Sequence, residues 1–274
     1  MAIISFWNNG KEETGKSSSI VAITTFLSIQ HNYRILVLDT KYNNYSYQDC
    51  YWQEEKIIKL INARGSSIEH GIGGLSKAIL SNKTSPEIIT NYTRIVFKDR
   101  LELLTDPNIS TTDYETSKRI FKDIAKIASR YYDLVFIDID SDLEENIKES
   151  LIEISDIVVA NLQQKLRSIN EYLKIKEENP ILRDKPIIPI LSRYDKNSKY
   201  NTKNVARYIK EKRGVYSIPY NTLFFEACSE GKVADFFIKF RKISPKDKNF
   251  IFISEVEKTT EQIMERLREL QMRM

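Results

Sequence analysis

The stretch Gly10-Lys11-Glu12-Glu13-Thr14-Gly15-Lys16-Ser17 constrains this chain more than any other, because of what stands on either side of it. The apolar run Ala2 to Trp7 before it reads as a short buried strand, Asn8-Asn9-Gly10 as the turn, and Ser18 to Ile29 after it as a helix. The stretch fits G-x-x-x-x-G-K-[ST], in which a loop between strand and helix turns its backbone N–H groups around a phosphate. The helix N-terminus then points at the anion, and Gly10, Lys11, Thr14, Gly15, Lys16, Ser17 and Ser18 are the expected phosphate contacts. Lys16 is expected to reach the terminal phosphates, and the Ser17 hydroxyl to ligate Mg²⁺.

Further apolar runs close in carboxylates. Tyr33 to Asp39 reads as a second strand, apolar through its middle as a parallel strand buried on both faces should be. Tyr132 to Asp138 is the clearest strand in the chain, and the runs 156–162, 186–192 and 215–221 supply three more. Helical patterns alternate with them, so the expected fold is α/β: a mostly parallel sheet with helices on both faces, one domain over 1–274 with a C-terminal helix from about 245. Thr111 to Asp113 is expected to cap one helix that carries Ile120, Ile124 and Ile127 on its apolar side. Between 42 and 93 the pattern is least regular. A helical segment is expected near Glu54 to Ala63, and Gly71-Ile72-Gly73-Gly74 reads as a flexible turn. The crowd of Tyr42, Tyr45, Tyr47, Tyr51 and Trp52 suits either a nucleotide-sensing lid and partner surface or a cover for the open edge of the core.

Lys11, five residues ahead of Lys16, makes the loop resemble the deviant Walker A motif, K-G-G-x-G-K-[ST], of the ParA/MinD family of P-loop ATPases. Glu12 and Glu13 stand where that family has two glycines. Tyr132-Asp133 and Ile137-Asp138 are similar to its Walker B string, Ile218-Pro219-Tyr220-Asn221 to its I-P-Y-N, and Arg193-Tyr194-Asp195 to its N-R-Y-D, with Ser192 in the asparagine position. Asp39-Thr40-Lys41 resembles its D-x-D, with Lys41 replacing the second carboxylate, and Asp140 and Asp142 follow where it tends to have T-P-P. These two carboxylates suit either a metal ion or, more simply, water and the cap of the helix around Glu144 to Ile154.

The resemblance implies a P-loop NTPase fold of the SIMIBI type that binds ATP and Mg²⁺. Ser17, Asp138 and Asp39 would hold the metal; Ser192, Arg193, Pro219 and Asn221 would meet the base. It implies a slow ATPase with Lys11, Lys16 and Asp39 as its catalytic groups, and a homodimer in the ATP state with Lys11 crossing to the partner's nucleotide. The output in that family is placement of cargo: DNA or plasmid partition, or, in the TadZ-like branch, an adaptor or a pilus or secretion component. A metabolic P-loop kinase is a third reading.

A net charge of +4 permits contact with nonspecific DNA or an anionic membrane without requiring either. Cys50 and Cys228 lie far apart without metal-ligand spacing, so neither a disulfide framework nor a zinc site is expected. No stretch approaches 18 uninterrupted apolar residues, which suggests a cytoplasmic protein with at most peripheral membrane contact. Acids and bases alternate from Phe250 to Met274, as in a helix packed on its own domain or a partner.

Overall fold

Continuous apolar runs too short for helices become strands, and the longer runs between them coil against both faces of the resulting sheet. In chain order, the computed structural model has β1 (Ala2–Asn8), α1 (Lys16–Gln30), β2 (Ile35–Asp39), α2 (Ser46–Tyr51), α3 (Gly71–Leu80), β3 (Arg94–Phe97), β4 (Leu101–Leu104), α4 (Thr111–Lys118), α5 (Phe121–Ala128) and β5 (Leu134–Asp138). There follow α6 (Glu145–Ile154), β6 (Ile157–Leu162), α7 (Leu166–Glu178), α8 (Pro180–Asp184), β7 (Ile187–Tyr194), α9 (Thr202–Tyr208), β8 (Tyr216–Pro219), α10 (Thr222–Ser229), α11 (Val233–Lys239) and α12 (Phe250–Gln271). The structure describes residues 1–10, 14–53, 71–82 and 85–272. The helix expected near Glu54 to Ala63 lies outside them.

The strands form one sheet of eight in the order β3-β4-β2-β5-β1-β6-β7-β8, parallel throughout except for the antiparallel β3–β4 edge. Alternation along each strand sorts the core into two layers. Ile4, Phe6, Val37 and Phe136 face α1, α10, α11 and α12, whereas Ile3, Trp7, Leu36, Leu38 and Ile137 face the layer of α5, α6 and α7. The register that matters most sets Asp39 opposite Asp138 at the carboxyl ends of β2 and β5, with Phe6 of β1 on the other side of Asp138. The three strands therefore end together, where open α/β sheets take their ligands.

Several local expectations change in three dimensions. The loop helix α1 does not bury one face only: from Ser19 to Ser28 it is buried all round, because α11 and α12 cover the side turned away from the sheet. Gly71 to Gly74 form the first turn of α3 rather than a flexible turn. Gly71 has φ +75°, and a Cβ there would lie 2.7 Å from the Thr105 carbonyl oxygen, while the Gly73 N–H donates to Asp106 at 3.0 Å. Those glycines serve close approach of two backbones. The helix expected from Thr111 onward breaks at 119–120 into α4 and α5, and its cap is the Ser110 hydroxyl, which accepts from the Asp113 N–H. Helix α6 starts after Glu144, whose own side chain makes no capping hydrogen bond.

Helix α12 packs on β8 and α1, burying Phe252, Val256, Ile263 and Leu267. Thr259 Oγ1 donates to the Ser217 carbonyl at 3.0 Å, and Ser217 Oγ donates to Glu255 at 2.7 Å. The apolar stripe is thus spent on the domain itself. Among the described residues no helix is long and apolar enough to cross a membrane.

Candidate nucleotide-binding site

The loop after β1 enters α1 through Gly15, whose φ of +78° is a left-handed conformation that side chains with a Cβ rarely adopt. Its open face is covered by Arg193: a Cβ on Gly15 would stand 3.2 Å from Arg193 Cγ. Ser18 and Ser19 donate their hydroxyls to the Gly15 carbonyl, and the first turn of α1 carries no acidic residue, so its positive end is left for an external anion.

Behind the loop lies a buried charge cluster centred on Asp138, which is wholly inaccessible. Its Oδ2 accepts from Ser17 Oγ and from Tyr47 Oη, both at 2.8 Å. Lys16 Nζ stands 3.0 Å from Oδ1 and also donates to Asn8 Oδ1 at 3.0 Å and to the Ile139 carbonyl. Lys41 Nζ lies 3.4 Å from Oδ2 and donates to Ser17 Oγ at 2.7 Å. Burial alone would raise Asp138, but the ammonium groups of Lys16 and Lys41 outweigh it and hold the carboxyl at about 2. Burial likewise works against the charge of Lys41, yet Asp138, Asp39 and Asp140 outweigh it and raise the ammonium above its ordinary value.

Asp39, across the register, takes the opposite course. Its oxygens accept from the Lys41 N–H at 3.2 Å and from Asn44 Nδ2 at 2.8 Å. Burial, reinforced by the neighbouring Asp138 charge, nonetheless pushes it up to about 7. A raised carboxyl favours the folded state while protonated, so its contribution is complete below pH ~4 and is lost as pH rises through about 7. Asp138 contributes in the other direction only as pH falls through about 2. Between pH 5 and pH 8 the wild type is therefore expected to lose more than about 1 kcal/mol relative to Asp39→Asn, measured by urea unfolding. Parallel pH profiles for the two proteins would rule this out.

Two cavities open at this end of the sheet. The first, about 400 Å³, is lined by Thr14, Gly15, Lys16, Ser17, Lys41 and Arg193 among others and is predominantly polar in its lining residues. The second, about 250 Å³, is walled by Val21, Ile218, Pro219, Phe224 and Phe225. They share Ser17, Ser18, Ser46 and Arg193. One polyanionic group and one flat apolar ring could thus be held side by side.

Of the residues singled out in the sequence, Thr14, Gly15, Lys16, Ser17, Ser18 and Arg193 line the polar cavity, and Pro219 and Asn221 the apolar one. Asn221 is also the cap of α10: Oδ1 accepts from the Phe224 N–H at 2.9 Å and Nδ2 donates to Asn249 at 3.0 Å. Gly10 opens instead on a groove beside α7 with Asn9, Lys165 and Lys174. Ser192 is not brought to the apolar cavity. It is buried, its hydroxyl accepting from Asn161 Nδ2 at 2.6 Å and pairing with Ser19 Oγ at 2.8 Å, so it ties β6, β7 and α1 together. Lys11 lies outside the described residues.

Two residues that the sequence did not single out for the site belong to it. Asn8, the last residue of β1, holds Lys16. Tyr47 is completely buried beneath Asp138, and burial, then the charges of Asp138 and Asp39, keep its phenol protonated as a donor. The aromatic crowd divides: Tyr47 and Tyr51 are core, whereas Tyr42 and Tyr45 are exposed.

Ser17 Oγ and Asp138 are the oxygen donors a Mg²⁺ ion would need, but Lys41 Nζ already bridges them. A divalent ion within about 4 Å of that ammonium would meet a repulsion of about 8 kcal/mol at an effective dielectric of ~20. As arranged, these donors do not fit a metal ion. Among the described residues no group of three or more His, Cys, Asp or Glu is placed to hold one.

No model of a known protein family matches the sequence, and no curated protein matches it. Solved structures do match in fold. A ParA family ATPase from Chlorobium tepidum superposes with a TM-score of 0.67 at 17% identity, over 94% of this chain and 97% of that one. A putative plasmid partition protein from Borrelia burgdorferi, bound to AMPPNP, gives 0.61 at 19% identity over 99% and 98%. The septum site-determining protein MinD from Pyrococcus horikoshii, complexed with Mg-ADP, gives 0.63 at 16% identity over 96% and 95%.

Proposed function

We propose that this chain, built on the fold of the ParA/MinD ATPases, is a nucleotide-dependent switch of that type: it binds ATP, closes into a homodimer, and positions cargo, with DNA or plasmid partition the favoured output. The observation that carries the reading is the pair of joined cavities, one lined by Lys16 and the start of α1, the other by Pro219 and apolar side chains. Triphosphate and base have the polarity of the two compartments, and Arg193, lining both, would stand near the sugar.

Hydrolysis in this reading is slow. A residue that orients attacking water must accept a hydrogen bond in its charged or neutral basic form. Asp39 is buried and engaged by Asn44 and the Lys41 N–H, and Lys41 can only donate. The same observation favours, as a second reading, a localisation scaffold that binds ATP with little turnover and recruits a protein partner. Binding to nonspecific DNA that weakens steeply with salt separates partition from scaffold.

The deciding experiment is light scattering with and without AMPPNP. The wild type is expected to double its mass with the nucleotide. Lys11→Ala is expected to bind nucleotide within about threefold of wild type and to remain monomeric, since a second cation per triphosphate offsets the repulsion between two loaded faces. Normal dimerisation of Lys11→Ala would remove the crossing lysine from the account, and an unchanged mass in the wild type would remove the switch.

A further inference from the structure

We propose that Lys41 is the resident cation of the phosphate site, so that this chain grips a nucleoside triphosphate through two ammonium groups and without Mg²⁺. The inference rests on the nucleotide reading above and adds to it how the polyphosphate charge is met.

The argument is positional. Ser17 lines the polar cavity, and Asp138, buried behind it, accepts from the Ser17 hydroxyl. Lys41 Nζ sits between them, 2.7 Å from the hydroxyl and 3.4 Å from Oδ2. Its backbone is fastened at several points. The Lys41 N–H donates to Asp39, Thr40 Oγ1 donates to the Asp138 carbonyl at 2.8 Å, the Asp140 N–H donates to Thr40 Oγ1 at 2.9 Å, and Tyr114 Oη donates to the Thr40 carbonyl at 2.9 Å. Both lysines line the cavity, and Lys41, about a quarter exposed (27%), is the more open of the two, since Lys16 Nζ is held by Asp138, Asn8 and the Ile139 carbonyl. Lys16 and Lys41 share Asp138 from opposite oxygens, and Asp39 and Asp140 also act on Lys41. A tethered cation of this kind does the electrostatic work of a bound ion at no cost in recruiting one.

The test is calorimetric titration of the full chain with AMPPNP in excess EDTA and again in excess MgCl₂. Wild-type affinity is expected to agree within about threefold between the two, and Lys41→Arg to behave likewise. Lys41→Ala is expected to lose at least about tenfold in EDTA and to recover most of it with MgCl₂. Wild-type binding at least tenfold tighter with MgCl₂ would overturn the inference while leaving the nucleotide reading in place, as would a Lys41→Ala protein indifferent to EDTA. No binding in either medium would overturn both. The wild-type comparison decides without any variant, and a cooperative thermal transition checks that Lys41→Ala is folded.

Discussion

Asp138→Ala is expected to cost about 3–5 kcal/mol of stability, the range for removing one partner from a buried ion cluster. The carboxylate stands between Lys16 and Lys41, which hold it ionised at about 2, while Asp39 beside it is pushed up to about 7. Without it two ammonium groups face each other, and the buried phenol of Tyr47 loses its acceptor. Lys41 can swing toward solvent and so recover part of the loss, whereas Lys16 is only 5% exposed. Urea unfolding provides the measurement, with Asp138→Asn keeping an acceptor for Ser17 and Tyr47 and isolating the charge. A loss below about 1 kcal/mol for Asp138→Ala would mean that the cluster is not held together by this carboxylate.

Lys16→Ala should divide its effect differently: a smaller loss of stability than Asp138→Ala, and at least a hundredfold loss of AMPPNP affinity, about 2.7 kcal/mol. The fold survives because Asp138 keeps Lys41, Ser17 and Tyr47 as partners. Affinity collapses because the cavity loses the ammonium that the loop itself supplies, and the remaining N–H groups of α1 carry only partial charge. Calorimetry on a protein shown by a cooperative thermal transition to be folded separates the two effects. Retention of affinity within tenfold would place the polyphosphate elsewhere.

The contrast between those variants also shows what sequence could and could not convey. Strands such as Val37 to Asp39 and Phe136 to Asp138 were legible because a parallel strand covered on both faces is apolar without interruption until it reaches the sheet's end, where a carboxylate becomes tolerable. The phosphate loop was legible because its spacing is set by the size of the anion. Tyr47 was not, since five aromatic residues in a polar stretch carry no periodicity that separates the buried from the exposed. Lys41 stood out as a charge mismatch, but its reach to Ser17 depends on the length of a flexible chain and on where β2 and α1 cross. Ser192 had the right neighbours in sequence and the wrong depth: a hydroxyl bonded to both Asn161 and Ser19 belongs to the joint between strands and helix. The glycines of α3 misled for a related reason, because missing side chains permit contact as readily as motion.

The six residues of α2 join the two compartments. Tyr47 points inward to Asp138 beneath the polar cavity, Cys50 and Asp49 wall the apolar one, and Ser46 is common to both. A single turn and a half of chain is thus the party wall between them, so filling either room presses on the other.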